Sequence, residues 1–104
     1  MGTRENKVEQ HLDDRFSRIG GTTRKWVSPG RNGVPDRICI YLGTTWFVEV
    51  KTVDGRLSDA QEREHVRLAE CGAKVRTVYG VKGVDKLMNE VMSHFYIREK
   101  EEIA

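Results

Sequence analysis

Four polar residues stand where the surrounding pattern calls for apolar ones. Glu49 and Lys51 interrupt the run Trp46-Phe47-Val48-Glu49-Val50-Lys51-Thr52. Asp36 opens the run Asp36-Arg37-Ile38-Cys39-Ile40-Tyr41-Leu42, directly after Pro35, and Glu9 lies beside the apolar stripe of the N-terminal segment. Side chains two apart in a strand share a face, so Glu49 and Lys51 point the same way, roughly 6–7 Å apart, while Val48 and Val50 point the other way. If Leu42 faces Trp46 across the turn, Asp36 falls opposite Thr52, beside Lys51. Two carboxylates brought together repel, and burial raises the cost. A hard divalent cation resolves that repulsion, and oxygen ligands without Cys or His favour magnesium or manganese over zinc. Such an ion beside basic residues suits a phosphodiester, whose developing charge it balances. Lys51 could orient or help deprotonate a water, or neutralise the pentavalent phosphate; the sequence leaves those roles open. Glu-x-Lys alone is among the commonest chance patterns and by itself reads as a surface salt bridge, with Asp36 unrelated. The spacing of Pro35-Asp36 from Glu49-Val50-Lys51 across a hairpin is far more specific.

These residues need elements to hold them. Val8, Leu12, Phe16 and Ile19 mark one face of a helix from about Arg4 to Ile19, ended by Gly20-Gly21. Thr22 to Ser28 reads as a short strand, and Ser28-Pro29-Gly30-Arg31-Asn32-Gly33-Val34-Pro35 as a loop. Asp36–Leu42 and Trp46–Thr52 flank Gly43-Thr44-Thr45 and form a hairpin, central in a sheet because both runs are largely apolar. Ser58-Asp59-Ala60-Gln61 fits a capping box opening a helix to about Cys71, with Ala60, Val66, Leu68 and Ala69 as its weakly periodic apolar face. Lys74 to Tyr79 alternates as a strand, Gly80 and Gly83 bracket a turn, and Val84, Leu87, Met88, Val91, Met92 and Phe95 mark a last amphipathic helix. The expected fold is α/β with order α-β-β-β-α-β-α: a mixed four-stranded sheet flanked by helices.

The chain has 104 residues with 33% charged and 38% hydrophobic, which fits one domain, with a core of about 4–95 and a charged tail at 96–104. No apolar run approaches the ~20 residues of a membrane span, and residues 1–7 contain no apolar signal-peptide core, so no membrane partner is expected. Cys39 and Cys71 are too few for a disulfide framework, and no Cys/His spacing suits zinc. Cys39 reads as buried and inert. Trp26 and Trp46 read as core or dimer interface, and His11, His65 and His94 as ordinary surface or helix-face residues. Net charge is only +2, but Arg24, Lys25, Arg31 and Arg37 crowd the segment before and into the hairpin against the single acid Asp36. Such a segment can meet phosphates. Arg31 is the leading phosphate contact, in a loop opened by Ser28, with Arg24, Lys25, Arg37 and Arg56 behind it.

Pro35-Asp36 followed by Glu49-Val50-Lys51 resembles the signature of the PD-(D/E)XK nuclease superfamily, and the element order is similar to its restriction-endonuclease-like core. Trp26 through Arg37, Phe47 through Lys51 and Gly55-Arg56-Leu57-Ser58-x-x-Gln61 resemble the virus-type replication-repair nuclease (VRR-NUC) domain, over about residues 4–95. The resemblance implies a metal-dependent DNA endonuclease of the Holliday-junction-resolvase kind. A flap- or nick-directed nuclease, or a branched-DNA-binding module without catalysis, is the alternative. It implies Asp36, Glu49 and the main-chain carbonyl of Val50 as magnesium ligands and Lys51 as the catalytic lysine. Gln61 would stand near the site, unless it only closes the capping box, and Glu9 would complete the metal shell. Glu5, one turn earlier on the same face, could replace Glu9. The resemblance further implies a homodimer acting on branched DNA, of the stand-alone kind that phages and prophages encode, in the bacterial host cytoplasm.

Overall fold

The computed structural model describes residues 4–103, with side chains over 4–94. The elements are α1 (Arg4–Arg18), β1 (Thr22–Lys25), β2 (Arg37–Tyr41), β3 (Thr44–Lys51), α2 (Asp59–Glu70), β4 (Lys74–Tyr79) and α3 (Gly80–Ile103). One sheet has the order β1-β2-β3-β4; β1, β2 and β3 form an antiparallel meander, and β4 joins β3 in parallel after the α2 crossover. This is the expected α-β-β-β-α-β-α arrangement.

Alternation along the strands assigns the two faces. Cys39, Trp46, Val48, Val50 and Val78 meet Val8, Leu12 and Phe16 of α1 and Val84, Leu87, Met88 and Val91 of α3 in the core. The opposite face carries Glu49 and Lys51, with α2 beside them. Asp85 of α3 accepts hydrogen bonds from His11, at 2.7 Å, and from Arg15, both on α1. The His11 bond, with charge from His11 and Arg15, holds the Asp85 carboxyl below its usual range. Thr23 of β1 donates to Asp13 at 2.7 Å. These ties fix α1, and hence its acids, against the sheet.

The hairpin register differs from the sequence expectation. The turn is Leu42-Gly43, with φ of 46° and 80°, and Tyr41 pairs with Thr44. A two-residue turn with positive φ at both positions matches strand twist, whereas a longer loop centred on Gly43-Thr44-Thr45 does not form. The pairing Arg37 with Val48 therefore continues to Asp36 opposite Glu49, not Thr52. β1 is also shorter than expected. Trp26 N–H still donates to the Asp36 carbonyl at 2.9 Å, but Pro35 has no N–H to continue the ladder, and the chain leaves the sheet.

α2 opens with the expected capping box. Gln61 N–H donates to Ser58 Oγ at 3.1 Å, and Ser58 N–H donates to Gln61 Oε1 at 2.8 Å. Ser58→Ala is expected to cost about 1 kcal/mol, read as a lower urea midpoint at unchanged slope. The face it buries is not the expected apolar one: Glu64 and His65 are buried, and Val66 is 56% exposed. α3 begins at Gly80, directly after β4, so no separate Gly80–Gly83 turn forms. It runs to Ile103, through the segment read from sequence as a charged tail. Among the described residues, no helix is long and apolar enough to cross a membrane.

Candidate active site

Asp36 sits at a bend where β2 begins, entered through the fully buried Pro35. Its Oδ2 accepts the Val50 N–H at 2.9 Å, so the carboxylate replaces the next main-chain acceptor of the ladder. A strand residue directs N–H and C=O to the same side. The Val50 carbonyl thus leaves β3 toward Asp36, where β2 has ended. This sheet-edge position lets Asp36 meet acids from both faces. From the α1 side, Glu5, Glu9 and Asp36 bring ligand atoms within 4.8 Å of one another. From the α2 side, the Glu49 carboxyl stands next to Asp36, which helps to raise its pKa.

Glu49 is 1% exposed. Its Oε2 receives Gln61 Nε2 at 3.3 Å, and Lys51 Nζ stands 3.6 Å from the same oxygen. Burial first, then the bond to Asp36 and its charge, push the Glu49 carboxyl up to about 8 against the pull of Lys51. Burial and the charges of Asp36 and Glu5 likewise outweigh Arg37 and raise Glu9. Glu49 Oε1 has no hydrogen-bond partner although it is buried. Crowded acids whose ionisation is disfavoured, one with an orphaned oxygen, fit a hard divalent cation. The oxygen donors available to such an ion are Glu9 or Glu5, Asp36, Glu49 and the Val50 carbonyl.

The basic residues divide between the two faces. Register puts Lys25 opposite Arg37. The Arg37 guanidinium, its side chain 17% exposed, lies 3.5 Å from Asp13 and 3.7 Å from Glu9 on α1. It is drawn toward the helix acids and away from solvent. Arg24 is exposed and donates to Thr22 and Thr23. Arg31 is held on the α2 side by the buried Glu64 at 3.3 Å, which Arg67 also reaches at 2.8 Å. Arg56 is exposed, and Ser28 is partly so.

His65 is the residue that the sequence reading passed over. It is 8% exposed, and its Nε2 lies 3.7 Å from Glu49 Oε1. Burial first, and then Lys51, lower its pKa. The signal was available: His65 follows Gln61 by four residues and so shares its helical face. Gly33 fixes the loop over this face, since a Cβ there would come within 2.4 Å of the Ala60 carbonyl oxygen.

This fold, with a metal-competent acid cluster at the head of a β-hairpin, is the restriction-endonuclease-like α/β fold. The chain belongs to the VRR-NUC family: a solved structure described as a VRR_NUC domain superposes with TM-score 0.79 at 37% identity, over 85% of this chain and 97% of that one. A phage protein named "Putative nuclease p44", from Acyrthosiphon pisum secondary endosymbiont phage 1, is 44% identical over 73 residues, 69% of this chain and 78% of that protein. Hjc, a Holliday junction resolvase from the archaeal hyperthermophile Archaeoglobus fulgidus, shares the fold at 18% identity and TM-score 0.55, over 72% of this chain and 67% of its own. No family model matches the chain.

Proposed function

We propose that this chain is a magnesium-dependent DNA endonuclease that acts on branched substrates, with the four-way junction preferred and manganese able to substitute. The observation that carries the reading is the convergence of Asp36, Glu49 and Lys51 at one end of β3, with Gln61 closing over them. Glu9, Asp36, Glu49 and the Val50 carbonyl hold the ion. When bound, it polarises the phosphoryl oxygen and lowers the pKa of a coordinated water. Lys51 brings a donor ammonium to the same pocket, where it can position the attacking water or balance phosphate charge. Gln61 donates to Glu49 Oε2 and so holds that carboxyl in place. Arg24, Arg31, Arg56 and the Ser28 loop meet backbone phosphates on the α2 side, with Lys25 and Arg37 behind the acids.

The family relationship and the phage relative support nuclease chemistry in an infected bacterial cell. The fold shared with Hjc supports a junction, and one site per subunit of a homodimer would give paired cuts across a two-fold symmetric substrate. The test is a panel of labelled four-way junction, flap, nicked duplex, linear duplex and single strand, with magnesium, manganese or chelator. Junction cleavage that stops in chelator is expected. Preferential flap or nick cleavage would move the substrate but keep the chemistry. Tight junction binding without cleavage under either metal would replace the enzyme with a binding module.

A further inference from the structure

The proposed reaction leaves His65 without a task, yet His65 is built into the site. Its ring hydrogen-bonds the Gly33 backbone, while Nε2 is buried and has no hydrogen-bond partner. The nitrogen engaged with Gly33 is therefore Nδ1. A carbonyl accepts, so Nδ1 carries the hydrogen, and the neutral ring directs the Nε2 lone pair away from the loop. What that lone pair faces, at 3.7 Å, is Glu49 Oε1, the other buried atom here without a partner. Two buried polar atoms thus face each other with no partner joining them, and a divalent cation that displaces the carboxyl proton would supply one. Gln61 and Lys51 both serve Oε2, so neither supplies it.

We infer that Glu49 Oε1 and His65 Nε2 form a mixed oxygen–nitrogen cation position that takes a transition-metal divalent ion such as manganese in preference to magnesium. This deepens the nuclease reading and rests on it for the ion's purpose, not for its binding. The position is distinct from the all-oxygen cluster of Glu5, Glu9 and Asp36. Metal bonds of about 2.0–2.2 Å place neighbouring ligand atoms about 3–3.5 Å apart, so a closure of a few tenths of an ångström seats both donors. A backbone carbonyl on the far nitrogen is the usual way to aim a ligating imidazole and fix its tautomer. Imidazole nitrogen suits transition metals, whereas magnesium keeps to oxygen and water. Gly33 secures the aim, because the loop that carries its carbonyl is pressed against the first turn of α2.

The test is manganese binding to the full chain, wild type beside His65→Ala and His65→Gln, with no DNA present. Pulsed electron paramagnetic resonance is expected to show imidazole nitrogen coupled to bound manganese in the wild type and in neither variant. Manganese affinity should fall about tenfold or more in both variants, while magnesium affinity, from competition, should change about twofold or less. Circular dichroism checks the fold; should His65→Ala unfold, His65→Gln decides. Manganese bound to the wild type without nitrogen coupling, or coupling that persists in the variants, overturns the inference. The nuclease reading fails separately, by the absence of cleavage across the substrate panel.

Discussion

Lys51→Ala is expected to fold, to bind divalent cation and DNA as the wild type does, and to cleave on the order of 10²-fold or more slowly. Lys51 ends β3, its side chain is 18% exposed, and its Nζ lies 3.6 Å from Glu49 Oε2. Nothing in the core depends on it: the side chain points to the α2 face, away from Val48 and Val50. On the proposed mechanism the ammonium acts where charge develops on the phosphate, so its removal should raise the barrier without emptying the metal position. Lys51→Arg should not restore the rate, because a planar guanidinium cannot occupy the place of a compact ammonium on the same stem. Single-turnover cleavage of the preferred substrate, set beside a manganese titration, separates the two quantities. Near-normal cleavage by Lys51→Ala would remove lysine from the chemistry. A rate loss fully explained by weaker metal binding would make it a structural counter-ion of Glu49.

The strands and helices were legible because they depend on local order: the 3–4 spacing of Val8, Leu12 and Phe16, the capping box at Ser58, and β-branched runs either side of a glycine. The candidate site residues stood out because Asp36, Glu49 and Lys51 are polar in apolar surroundings. Pairing was harder. Placing the turn at Gly43-Thr44-Thr45 depended on glycine punctuation, but the hairpin turns at Leu42-Gly43, with a leucine in the left-handed region at φ 46°. Three residues of register moved Asp36 from Thr52 to Glu49, which is the pairing that brings the carboxylates together. The same shift decides Arg37: once it pairs with Val48, it shares the helix-packed face and meets Glu9 and Asp13. α2 shows the other limit. Its apolar residues are too few to mark a stripe, and it turns polar residues inward because the sheet face beneath it carries Glu49 and Lys51. A buried glutamate on one element is what makes a buried histidine on another sensible, and no single segment displays both.

Glu49→Gln is expected to move stability and activity in opposite directions. Burial, the bond to Asp36 and its charge raise the Glu49 carboxyl from 4.5 to about 8. A group with its folded pKa raised adds stability that is complete below its unfolded value and lost as pH climbs through the folded one. Metal-free wild type should therefore lose stability between about pH 5 and about pH 8, on the order of a few kcal/mol at the alkaline end, since one pKa unit corresponds to about 1.4 kcal/mol. Glutamine is close to isosteric, retains an oxygen to accept from Gln61, and never ionises. In chelator at pH 8 the variant should melt several degrees higher than wild type, and its melting temperature should be nearly flat across that interval. Added magnesium or manganese should stabilise the wild type by binding the folded chain, and stabilise the variant much less. Cleavage by the variant should fall on the order of 10²–10³-fold, because an amide oxygen is a poor substitute for a carboxylate at a divalent ion. The measurements are melting curves across pH with chelator and with metal, beside the cleavage rate. A variant no more stable than wild type at pH 8 in chelator would mean that Lys51 and Gln61 already compensate the buried charge, leaving no electrostatic reason for a cation at Glu49.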